Sequence, residues 1–180
     1  MVFALPKKKY RLNVIIVNMK KNIILLLFII ITFKLYAQNP TNYKESLTEG
    51  ISYDMAKDSV LKILGRPDSV GDNELWGATG NTYQEWKYSN MDLSLIIETV
   101  SGTEISKVYR LEINHRSALC TSKGVCIGSS KDFVIEKYGD YVNKILSETS
   151  MIIVGNEYEG VYIYFENEKV VRIVLGYVAE

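Results

Sequence analysis

One histidine, two cysteines and three prolines in 180 residues set limits before any pattern is read. His115 with Cys120 and Cys126 gives too few ligands for a dedicated zinc site. A functional His115 would need partners at fixed geometry, and its place beside Arg116 reads as a partly exposed strand end. No Walker loop, dinucleotide fingerprint or serine nucleophile elbow is present. The Asp and Glu residues are scattered, with no spacing that forces a carboxylate pair together. The expectation is a chain with no metal, no cofactor and no catalytic residue, hence not an enzyme. A hydrolase whose site assembles only in three dimensions stays open as an alternative.

Acid is missing from one end. Residues 1–37 hold seven of the 21 bases and no Asp or Glu, so the rest carries 14 bases against 21 acids, a net charge of −7 on 143 residues. An acidic body lacks the electrostatic footprint that nucleic-acid binding needs. The basic end has a different logic. Met19-Lys20-Lys21-Asn22 precedes an apolar run from Ile23 to Phe33, and Lys34-Leu35-Tyr36-Ala37-Gln38 follows. A basic start, a short apolar core and a small residue at the exit describe a signal peptide over 1–37, cleaved after Ala37. Eleven apolar residues fall short of the roughly twenty that span a bilayer. The open alternative is an uncleaved signal anchor, the one route by which this chain would touch a membrane. Because Met19 begins a complete signal, residues 1–18 also read as an upstream start artefact. Residues 38–49 are polar with one proline and read as a tether. The mature protein is expected in the periplasm or outside the cell.

Cys120 and Cys126 bracket Thr121-Ser122-Lys123-Gly124-Val125. In an exported chain a short-loop disulfide is the natural reading, with free buried thiols the open alternative. The spacing is not Cys-x-x-Cys, which speaks against redox catalysis.

What the sequence does contain is a partial repeat. A shift of 74 positions superposes Gly50 on Gly124, Lys57 on Lys131, Asp58 on Asp132, Val60 on Val134 and Gly65 on Gly139, without a gap. In the first copy Ala56, Val60, Ile63 and Leu64 form one buried helical stripe, and Gly65 with Pro67 ends it. In the second, Ser129 or Ser130 caps a helix carrying Val134 and Tyr138, and Gly139 ends it. Period-two segments follow each helix, at 84–88, 93–97 and 108–113, then at 151–154, 160–165 and 170–175. Residues 166–169 make the last turn. Along 108–113, Tyr109, Leu111 and Ile113 point one way, and Arg110 and Glu112 the other. The expected fold is α+β: two tandem helix-plus-antiparallel-meander (αβββ) repeats over 50–116 and 117–180, helices packed on one face of the sheets.

Gly128, Ser130, Val134, Tyr138 and Gly139 in the second unit form a Gly-x-Ser-x-x-x-Val-x-x-x-aromatic-Gly pattern. With a strand meander after it, this resembles the β-lactamase-inhibitor-protein-like fold shared by outer-membrane assembly lipoproteins of the SmpA/OmlA (BamE) type. The first unit matches through Val60, Leu64, Gly65 and Pro67, but has Asp54 and Ala56 where Gly and Ser are usual. The lipoprotein relatives carry a Cys anchor that is absent after this apolar run. The resemblance implies that the aromatic outer face of the sheet docks another protein. Tyr162 and Tyr164 lead the candidates, because Val161, Ile163 and Phe165 already supply the core face. Trp86 with Tyr88 comes next, and Arg110 and Glu112 lie on a water-facing side. The expected function is thus an exported, non-enzymatic protein-binding module. The alternative is a cell-envelope assembly or structural accessory, anchored by its N-terminal helix.

Overall fold

The computed structural model describes residues 43–144, 147–156 and 158–177, together with Lys21. The expected signal peptide, its alternatives and residues 38–42 therefore lie outside the described residues, Lys21 excepted. Chain contacts separate Met1–Gln38 from Asn39–Glu180, and the fold is that of the second unit.

Its helices are short. Helix α1 spans Lys57–Leu64 and α2 spans Lys131–Tyr138. The strands are β1 Ser69–Leu75, β2 Thr82–Tyr88, β3 Leu93–Thr99, β4 Ser106–Ile113, β5 Met151–Gly155, β6 Glu159–Glu166 and β7 Lys169–Tyr177. All seven join one antiparallel sheet in the order β1-β2-β3-β4-β7-β6-β5. This corrects the expected pair of helix-plus-meander repeats. The division at 116/117 is not a boundary, because β4 hydrogen-bonds to β7 and makes the sheet continuous. Nor do the helices form a layer: each has eight residues, and α1 fully buries only Val60, α2 only Val134 and Tyr138. The molecule is mostly sheet.

The register explains the core. One inner row runs Trp86–Leu95–Leu111–Leu175–Val161–Val154 across β2, β3, β4, β7, β6 and β5. The next runs Tyr88–Leu93–Ile113–Ile173–Ile163–Ile152. Every member of both rows is buried and belongs to a single hydrophobic cluster. Alternation along each strand puts these residues on one face, and each large apolar side chain so removed from water contributes about 1.5–3 kcal/mol.

Tyr109 is an exception to the expected alternation. A register shift in the β3–β4 ladder leaves Ile96 opposite Arg110 and Ile97 opposite Val108. Val108 takes the core position, and Tyr109 is the extra residue of the bulge.

Only part of the sequence repeat survives as repeated structure. Gly65 caps α1 at φ 75° with its N–H on Leu61 O, whereas Gly139 at φ −43° continues α2 into a tight 3-10 turn, Gly139–Tyr141. Ser130 caps α2 by accepting from Phe133 N. The closest correspondence lies upstream of the helices. Ser46 bridges Ser52, and 74 positions later Cys120 bridges Cys126. Leu47 N bonds Ile51 O, and Thr121 N bonds Val125 O. These two small hairpins pair with each other through Leu47 and Thr121. Residues 43–49, read from sequence as part of a tether, are therefore built into the fold, with Leu47 1 % exposed and Glu45 4 %.

Gly155, Gly160 and Gly176 are opposite one another on β5, β6 and β7. Gly155 and Gly176 have φ of 105° and 113°, where side chains are strained. A Cβ on Gly160 would lie 2.1 Å from Val154 O, and one on Gly176 2.5 Å from Tyr109 O. Backbones approach closely along this row, as where a sheet bends. Gly160→Ala should cost about 3 kcal/mol in urea unfolding, because the obstacle is main chain. Gly77→Ala, with nothing within 4 Å of the new methyl, should stay within about 0.5 kcal/mol of wild type.

Candidate functional site

Opposite the core rows, alternation creates an outer face. Its first row is Glu85–Ile96–Arg110 on β2, β3 and β4, running on into the glycines of β7, β6 and β5. The second is Lys87–Ser94–Glu112–Val174–Tyr162–Ile153, and the third is Arg172–Tyr164–Met151. Glu85, Ser94, Ile96, Arg110, Glu112, Tyr164 and Arg172 are all half-buried. Five of them, Glu85, Ser94, Ile96, Arg110 and Glu112, line a small depression of about 110 Å³. The Arg172 guanidinium lies 4.2 Å from the Tyr164 ring centroid, and its Nε is 3.7 Å from Glu112 Oε1. Cation–π stacking and a loose ion pair thus hold Arg172 between the two residues.

The structure brings together four of the six residues expected to bind a partner: Arg110, Glu112, Tyr162 and Tyr164. Tyr162, however, is 3 % exposed and forms a small buried cluster with Ile153 and Val174, its hydroxyl donating to Asn156 O at 3.1 Å. It supports the face from beneath. Trp86 and Tyr88 are a correction. Both are 4 % exposed and belong to the core. Trp86 donates to Gln84 Oε1 at 2.9 Å, Lys57 covers its ring, and Tyr88 donates to Gly65 O at 3.1 Å. Their β2 positions alternate with Glu85 and Lys87, so the same parity that exposes the charges buries the rings. Cys120 and Cys126 are disulfide-bonded, which is compatible with an oxidising, exported location. His115 is exposed just beyond β4.

A second group of polar residues was not legible beforehand. Lys107 Nζ donates to Asp54 Oδ1 at 2.7 Å and is 3.7 Å from Glu98 Oε2. Glu98, 7 % exposed, accepts from Tyr83 OH at 2.8 Å and Asn81 Nδ2 at 2.7 Å. Lys44 reaches Asp54 at 3.3 Å. Beside them Trp76 stacks on Tyr83 with centroids 3.8 Å apart, and Tyr109 stacks on Tyr177 at 5.0 Å. Burial opposes ionisation of Asp54, but the hydrogen bonds and charges of Lys107 and Lys44 outweigh it and hold the carboxyl below its ordinary value. The Asp54 hydrogen bond, opposed in part by burial, raises Lys107 above the usual ammonium value. A lysine held protonated between two carboxylates is a strut, not a base or nucleophile. The only sequence signal for it is period-two parity, which pairs Glu98 with Tyr83 and Lys107 across the strands.

Among the described residues no group of three or more His, Cys, Asp or Glu is placed to hold a metal ion, and no helix is long and apolar enough to cross a membrane. A depression of about 570 Å³ is open and lined by Glu148, Thr149, Ser150, Phe165, Asn167 and Glu168. No known protein family, curated protein or solved structure matches the chain.

Asp54→Asn tests the strut. A depressed carboxyl pKa contributes stability above its unfolded value near 4 and loses it as pH falls through the folded value. A raised lysine contributes below its unfolded value near 10.4 and loses it as pH climbs through the folded one. Asn at position 54 should therefore lower stability at pH 7 by about 0.5–1 kcal/mol, screening included. The difference from wild type should shrink below about pH 4. Urea midpoints from pH 2 to 8 would show it, and a constant difference would remove Lys107 as the cause.

Proposed function

We propose that this chain is an exported, non-enzymatic protein-binding module that docks a partner protein on the outer face of its sheet, centred on β3, β4 and β7. One observation supports this reading above the others. The outer face keeps an aliphatic anchor, Ile96, an aromatic one, Tyr164, and alternating charges on Glu85, Arg110, Glu112 and Arg172 half-exposed. All of these project from paired strands and none from a loop. The face's depression of about 110 Å³ is small beside the roughly 300–1,000 Å³ of small-molecule sites. Aromatic and Arg anchors carry much of the energy in protein interfaces. The rigid strands lower the ordering cost of association. The alternating charges set orientation more than strength. The setting is periplasmic or extracellular, following the N-terminal basic–apolar–Ala37 pattern and the disulfide.

Photo-crosslinking side chains placed at Ile96 and Tyr164, with Ile135 on α2 as an exposed control, should separate the faces in envelope extracts. Discrete adducts at 96 and 164 but not at 135 are expected. Arg110→Glu combined with Arg172→Glu should weaken those adducts about tenfold or more while leaving the fold intact by circular dichroism. Equal labelling at 135, or adducts indifferent to both charge reversals, would overturn the reading.

A further inference from the structure

We propose that the Cys120–Cys126 disulfide is a redox clamp that seats the arm formed by residues 43–50, so that the arm is locked in place only under oxidising conditions. The two paired hairpins carry the argument. Positions 46 and 52 of the first hairpin correspond by the 74-residue offset to 120 and 126 of the second, and the first holds serines where the second holds the disulfide. Only one of the pair is closed covalently, and the open one leans on it. Thr48 N donates to Cys120 O at 2.9 Å, and Ser122 N donates to Ser46 O at 2.7 Å.

The side chains inside the disulfide ring complete the seat. Glu45, 4 % exposed, accepts from Tyr43 OH at 2.8 Å, from Tyr138 OH at 2.9 Å and from the Ser122 hydroxyl. With its one proton on Glu45, the Tyr138 oxygen accepts in turn from the Thr121 hydroxyl at 2.8 Å. Lys123 Nζ lies 5.6, 5.2 and 4.6 Å from the ring centroids of Tyr43, Tyr138 and Tyr141, and donates to Lys137 O at 3.0 Å. Three consecutive ring residues, Thr121, Ser122 and Lys123, thus tie the arm to the end of α2. A buried carboxylate is tolerable only while its donors stay aligned, and the ring aligns one of them directly and another through Thr121.

Both cysteines are half-buried, within reach of a small thiol. Reduction by a dithiol such as dithiothreitol breaks the S–S bond and delivers two electrons and two protons. Each cysteine gains a hydrogen, and the dithiol closes into its own cyclic disulfide. Reoxidation by a small disulfide such as oxidised glutathione runs the exchange backwards and releases two glutathione thiols. Opening so short a ring restores conformational freedom to 121–125, and the arm loses the partner that ordered it. The sheet has its own ladders and core, and it stays folded.

Hydrogen–deuterium exchange on the whole protein tests this, oxidised and then reduced with dithiothreitol. The amides of Leu47, Thr48, Gly50 and Ser122, all bonded within or between the hairpins, should exchange roughly thirtyfold faster after reduction, the loop-closure effect of so small a ring. Peptides from β3, β4, β6 and β7 should not change, and oxidised glutathione should restore the slow rates. Cys120→Ser with Cys126→Ser, which recreates the serine pair of the first hairpin, should reproduce the reduced pattern without reductant. Unchanged exchange in the arm would overturn the clamp. So would acceleration across the whole sheet, which would make the disulfide a general stabiliser. If the double variant fails to fold, the reduced wild type decides between the same outcomes.

Discussion

Four residue pairs join the sheet: Arg110 with Gly176, Leu111 with Leu175, Glu112 with Val174 and Ile113 with Ile173. Without this short ladder between β4 and β7, strands β1–β4 and β5–β7 would be two separate meanders, each with an open edge. With it, both inner rows cross the whole molecule, and Leu111, Ile113, Ile173 and Leu175 are fully buried at the seam. The partners are sixty or more positions apart in sequence. Their pairing therefore follows a large loop closure and depends on the burial it makes possible. The outer face depends on the same four pairs, since they put Arg110 and Glu112 beside Val174 and the glycine row.

The paired hairpins play a matching role at the helix starts. Each leads toward a helix, and each approach is fixed to a strand by equivalent bonds: Asp54 N with Val108 O and Val108 N with Met55 O, then Gly128 N with Val170 O and Val170 N with Ser129 O. Helices of eight residues have little stability of their own. These bonds, with Val60, Val134 and Tyr138 buried in the core, hold them in place. The seat beneath the second hairpin places a carboxylate in the interior without a cation at hydrogen-bonding distance. The hydroxyls of Tyr43, Tyr138 and Ser122 and the Ser46 backbone N–H supply its hydrogen bonds. Burial above all, with the charge of Glu45 adding to it, pushes both phenols well above the ordinary value, so they remain donors.

Six strands and both helices were legible because each follows a period. Val60 and Val134 at helical spacing, and Val161, Ile163 and Phe165 at strand spacing, are local facts of the chain. Strand β1 was not legible. Its seven residues, Ser-Val-Gly-Asp-Asn-Glu-Leu, are all exposed, and a strand held at the sheet edge by backbone pairing has no buried side to impose alternation. The seam was illegible for another reason: nothing in residues 110–113 or 173–176 distinguishes pairing with each other from pairing within their own meander. The arm carries no such signal. Upstream of Gly50 the 74-residue offset sets Ser46 on Cys120 and Leu47 on Thr121. No residue of 43–49 is identical to its counterpart, since backbone pairing alone makes the two hairpins alike. Of the candidate docking residues, parity placed Arg110, Glu112 and Tyr164 on the outer face. It could not separate Tyr164 from Tyr162, two residues away on the same side, because what distinguishes them is the packing of Ile153 and Val174.

That difference shapes the outer face. Toward β5 and β6 the outward residues turn apolar and bury one another, while the glycines of β5, β6 and β7 leave a strip without side chains beside Arg110. A long, flexible cation normally loses rotamer entropy when it is ordered. Here Arg172 is already held by the Tyr164 ring and Glu112, and Arg110 stands in a wall with Glu85, Ser94, Ile96 and Glu112. Much of the ordering that association would require is thus done in the free protein. The closeness of opposite charges within the face also limits any single-sign field. A partner docking there would be selected by the register of small local contacts more than by long-range attraction, which suits a body whose net charge alone would repel other acidic proteins.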